Sequence, residues 1–213
     1  MSNRFISDWT RKSTVPLSQK IAGTLHPSPL KNQLSQTVYR LNVIQKRLND
    51  ARLRMERKHQ TLFTKCVRSQ EAKDSASATM YANECAQVRK MTQTILTSGL
   101  ALEQVTLRLE TIKDFGDVAT AIMPTAAVVQ HIQGRLAGVL PDVSMQLGMI
   151  GNALDAVVLE TGQTLNQSWS AVPAGEEAET ILAEASAIAE QKMKDTFPQL
   201  PTHNSVERLT PSS

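Results

Sequence analysis

Aromatic residues make up only 4% of this 213-residue chain, and it holds just two cysteines. With so few rings, the apolar stock is Ala, Val, Leu, Ile and Met, which suits slender helix-on-helix packing better than a broad core. Cys66 and Cys85 cannot build a disulfide framework; they read as small buried apolar residues flanking a turn, and a reducing, intracellular compartment is the default. The start of the chain has no continuous apolar run, because Asp8, Arg11 and Lys12 interrupt it, so no secretory leader is expected. The best candidate for a membrane span, Val118 to Leu140, contains Pro124, Gln130, His131, Gln133 and Arg135 and is too polar to face lipid. His26, His59, His131 and His203 are scattered without H-E-x-x-H spacing, the glycines are isolated, and no nucleophile–base pair stands out. An enzyme is therefore not expected, nor a catalytic residue, a metal or a cofactor.

Acidic residues are also scarce at one end. Residues 1–68 hold fourteen Lys or Arg against Asp8, Asp50 and Glu56, a net of +11. Residues 69–213 hold nine against seventeen, a net of −8. The overall +3 hides a basic part that calls for an anionic partner and an acidic part able to compete for it.

What the chain has in quantity is helical periodicity. Residues 30–113 read as two long runs with a polar break from Ser69 to Ser75. Apolar residues recur at steps of three and four: Leu34, Val38, Leu41, Ile44, Leu48 and Ala51 in one run, Val88, Met91, Ile95, Leu102, Val105 and Leu109 in the other. Neither run contains proline, and Gly99 is the one glycine. Each run has one stripe to hide, so the two should fold back as an antiparallel hairpin. Gly116 and Asp117 can break and recap the chain, and Pro124 should kink or restart a helix over residues 118–140. Another helix should run from Pro141 to Thr161. These breaks permit two arrangements, folded back on the hairpin or swung out to extend its second rod.

Residues 1–29 form an amphipathic start and a Pro-rich linker. Phe5, Ile6 and Trp9 make an apolar wedge beside Arg4, Arg11 and Lys12, a combination suited to a membrane interface. Lys46, Arg47, Arg54, Arg57 and Lys58 make the first long helix a cationic surface for a headgroup plane or nucleic acid. Residues 162–175 read as a linker and residues 176–194 as an acidic amphipathic helix that docks back on the basic hairpin. In the tail, residues 195–213, Phe197-Pro198-Gln199-Leu200-Pro201 form an extended apolar-proline peptide.

This order of parts resembles the ESCRT-III (Snf7-like) family, and within it the archaeal cell-division branch, CdvB. The resemblance implies an all-α fold: a core over residues 30–161, with the hairpin at 30–113 and shorter helices at 117–161, then a tethered C-terminal helix. Residues 197–201 are similar to the family's type-2 motif, which implies that Phe197, Pro198, Leu200 and Pro201 bind the MIT domain of a Vps4-like AAA ATPase. It further implies homo- or hetero-polymers of the chain and its paralogues, formed on anionic membrane at the inner face of the cell membrane near the division site. The winged-helix piece of some archaeal members is not expected, since twelve residues follow Pro201, so recruitment would fall to the N-terminal segment or a paralogue. A rival reading is a basic helical nucleic-acid-binding or chromosome-organising protein. Missing base-reading motifs and stacking platforms disfavour nucleic acid. A third is a passive coiled-coil scaffold, for which residues 197–201 would be dispensable.

Overall fold

Among the described residues five α-helices follow one another: α1 (Pro29–Glu71), α2 (Ser75–Phe115), α3 (Val118–Leu136), α4 (Pro141–Leu165) and α5 (Ala174–Thr196). The computed structural model describes residues 29–115, 118–165 and 174–197, with no strand among them. The all-α hairpin architecture read from the sequence is the one observed.

α1 and α2 have 43 and 41 residues, which makes rods about 60 Å long. They pack along one another with their stripes inward: Leu41, Leu48, Leu102, Val105 and Leu109 are fully buried. The polar groups trapped there are satisfied locally. Thr92 and Thr106 donate to the carbonyls of Val88 and Leu102, each at 2.8 Å. Gln45 Nε2 donates across the hairpin to Thr106 Oγ1 at 2.9 Å, a buried polar match that fixes how the two rods are aligned.

The hairpin turn is a helix stop followed at once by a helix start. The Asp74 amide donates to the Ser69 carbonyl and the Lys73 amide to the Gln70 carbonyl, both at 2.9 Å, with Lys73 at φ 57°. That pair of bonds is a Schellman closure, whose left-handed position usually holds glycine. Asp74 Oδ1 then accepts from the Ser77 amide at 3.1 Å and caps α2. Cys66 and Cys85 lie buried just behind the turn as free thiols.

α3 and α4 form a second, shorter hairpin folded back on the first, so the closed of the two arrangements is the one seen. α3 packs on α2, and α4 on α3, with its start against α1. Pro124 does not restart the helix: α3 runs through it from Val118 to Leu136. α3 stops at Leu136, short of the expected residue 140, in a turn where the Leu136 carbonyl accepts from both Val139 and Leu140. α4 runs four residues beyond the expected Thr161, to Leu165. Gly148 faces the Gln133 side chain of α3, whose Nε2 would lie 2.9 Å from an added Cβ and would have to turn aside.

Candidate membrane face and tail-docking site

Five cations read as membrane-binding sit on α1, and all five are exposed: Lys46, Arg47, Arg54, Arg57 and Lys58. The hydrophobic stripe dictates this, since burying one side of α1 against α2 turns the Lys and Arg positions outward. Of the two acids on α1 before its last residue, Glu56 is paired with Arg52, and Asp50 shares a cleft with Arg47, Arg54 and Asp142. The remaining predicted membrane residues, Arg4, Phe5, Ile6, Trp9, Arg11 and Lys12, lie outside the described residues.

α5 docks back on the body, as its amphipathic pattern implies, but not on the cations of α1. It packs on α2 and α3. Its apolar face decides the seat: Ala178, Ile181, Ala185 and Ala189 are buried, whereas most of its glutamates face solvent. Two carboxylates do make cross-links to α2. Glu177 pairs with Arg108, and Glu184 accepts from Gln104 at 3.4 Å. The cationic outer side of α1 is therefore left uncovered by the acidic helix.

At the far end of α5, Phe197 is the buried anchor, at 8% exposure. Its ring meets His59 edge-on at 4.5 Å between centroids, and the Arg89 guanidinium lies 5.7 Å from its centre. Arg89 Nε donates to His59 Nε2 at 3.0 Å, so that nitrogen is an acceptor and the proton of the neutral ring sits on Nδ1. Burial and then the neighbouring Arg89 charge pull the His59 pKa down to about 4. Phe197 thus closes a pocket that bridges α1 and α2. Beside it, a cleft of about 380 Å³ lies between the two rods and the last turn of α5, with Leu48, Ile95, Gly99 and Met193 among its walls. Pro198, Leu200 and Pro201 of the same peptide lie outside the described residues.

Glu56 and His59 stand three apart on α1, a Glu-x-x-His spacing also used by carboxylate-bridged metal sites. Here His59 is committed to Arg89 and Glu56 to Arg52. Among the described residues no group of three His, Cys, Asp or Glu is placed to hold a metal ion. None of the described helices is long and apolar enough to cross a membrane.

No known family profile and no solved structure matches the chain. It is similar, at 41% identity over 184 residues, to Cell division protein B1 of Sulfolobus acidocaldarius, with 86% of each chain covered. It is also similar, at 31% identity over 172 residues, to Cell division protein B of the same organism, with 81% of this chain and 66% of that one covered.

Proposed function

The chain belongs to the CdvB-like branch of the ESCRT-III family, a cell-division family, and from that premise we propose that it polymerises on anionic membrane and constricts or bends it. The observation that carries this reading is the uncovered cationic side of α1, with Lys46, Arg47, Arg54, Arg57 and Lys58 all exposed. Each such cation near an anionic surface contributes about 1 kcal/mol, and a polymer multiplies weak contacts. The N-terminal wedge of Phe5, Ile6 and Trp9 would add apolar anchorage.

The seat of α5 supports a closed resting state. With Phe197 held between His59 and Arg89, the first residue of the 197–201 peptide is occupied by the chain's own hairpin. Release of α5 would free both that peptide and the surface it covers on α2 and α3. A Vps4-like ATPase would then engage Phe197, Pro198, Leu200 and Pro201 through its MIT domain and extract subunits.

Co-pelleting with anionic and with neutral vesicles, followed by negative-stain microscopy, tests the reading. Binding to anionic vesicles alone, with filaments on their surface, is the expected result. Equal binding to both, or no filaments, counts against it. For the peptide, Leu200→Asp is expected to abolish ATPase binding and leave filament growth intact; unchanged affinity removes the peptide from the mechanism. The nucleic-acid reading predicts tighter, salt-sensitive binding to DNA than to vesicles, and a parallel titration separates the two.

A further inference from the structure

The outer side of α4 carries an exposed row that is apolar except at Asn152. Met145, Met149, Asn152, Ala156 and Leu159 follow one another at steps of four and three, and all are exposed, Met145 at 65%, Met149 at 60% and Leu159 at 66%. Steps of that size hold a seam against a partner helix along its length. The other side of α4 is already in use, since Val143, Leu147, Ile150 and Leu154 belong to the core. α4 also bears Asp142, Asp155 and Glu160 and not one Lys or Arg. Its partner should therefore be a positive helix with apolar residues of its own.

α1 has that character. Its outward side carries a row at the same steps, Tyr39, Val43, Lys46, Asp50, Leu53 and Arg57, with Tyr39 70% and Leu53 39% exposed. Within the molecule, Asp142 at the start of α4 already lines a cleft together with Arg47 and Arg54 of α1. Two α4 helices facing each other would bring only carboxylates together, which selects against self-pairing of α4.

We propose that the exposed row of α4 docks on the outward row of α1 in a second copy of this chain. Donor and acceptor surfaces differ, so the contact is heterologous and can pass from copy to copy. It rests on the polymer reading above and names the surfaces that the polymer uses. The contact takes up Lys46 and Arg57 of the five cations read above as lipid-facing, while Arg47 and Lys58 lie roughly a quarter turn around α1 from the row and stay available to lipid.

Charge reversal in two separate chains tests it. One chain carries Ala156→Lys with Glu160→Lys, the other Lys46→Glu with Arg57→Glu, all at positions exposed in the fold. Each is mixed with anionic vesicles alone, and then both together, with filaments scored by negative stain. Each chain alone is expected to give on the order of tenfold less filament than the natural chain, counted per chain bound to vesicles because Lys46 and Arg57 also face lipid in the reading above, since like charges now meet. The mixture is expected to recover it, since each reversed surface finds its complement. Met149→Lys should show the same loss of filament with vesicle binding unchanged. Full filament yield from the chain reversed in α4, or from Met149→Lys, overturns the proposal and leaves the polymer reading standing. So does a mixture that does not recover, the result expected if α4 pairs with α4. If the natural chain forms no filaments, the polymer reading itself falls and takes this interface with it.

Discussion

His59 shows how one buried side chain links acidity to the closed state. In the unfolded chain its imidazole titrates near about 6.5; in the fold, burial and Arg89 pull that down to about 4. The unfolded chain therefore binds more protons between those two values, and stability falls as pH drops through that window. The loss should be on the order of 2–4 kcal/mol. Denaturant midpoints at pH 7.5 and 4.5 measure it, and His59→Gln should flatten the difference. Lys73 gives a prediction of opposite sign. Its left-handed backbone, φ 57°, strains a lysine and suits a glycine. Lys73→Gly should stabilise the protein by about 0.5–1 kcal/mol, read as a raised thermal midpoint. The apolar stripe around these residues was legible from spacing alone. The partnership of His59 with Arg89 and Phe197 was not, because it joins residues thirty and more than a hundred positions apart, and no local pattern encodes such a meeting.

Among the elements, α5 is the one whose position departs from its charge. Counting charges sends an acidic helix to the basic rod. The observed seat follows instead from four apolar positions and the anchor at Phe197, because burying apolar area outweighs ion pairs held in water. Phe197→Ala should therefore loosen α5 far more than Glu177→Ala, whose ion pair with Arg108 is solvent-exposed. Amide hydrogen exchange would show faster exchange over residues 174–196 in the first variant, with α1 and α2 unchanged. The two long helices, their turn and the tethered helix were visible in the sequence as periodicity and capping residues. Of the two outcomes read for Pro124, a kink or a restart, the unbroken run of α3 through it excludes the restart.

Among the described residues, the acidic helix α5 and the outward cations of α1 lie on separate surfaces. Because α5 sits on α2 and α3, the cations of α1 and the anchorage of α5 are separate controls. Salt should therefore weaken attachment to anionic vesicles steeply, as screening predicts, while proteolysis of the linker between α4 and α5 stays unchanged. A chain ending at residue 173 should bind vesicles as the full chain does and assemble at lower concentration, measured by light scattering against protein concentration.

The order of the helices along the chain also bears on synthesis. The α1–α2 hairpin is closed by a three-residue turn, and both of its rods are complete once Phe115 is free. Its cover, α5, is encoded about 60 residues later, a delay of roughly 3–12 s at ordinary translation speeds. Every nascent chain therefore presents the surface beneath α5 bare to its neighbours on a polysome, and the cell must either chaperone that interval or use it.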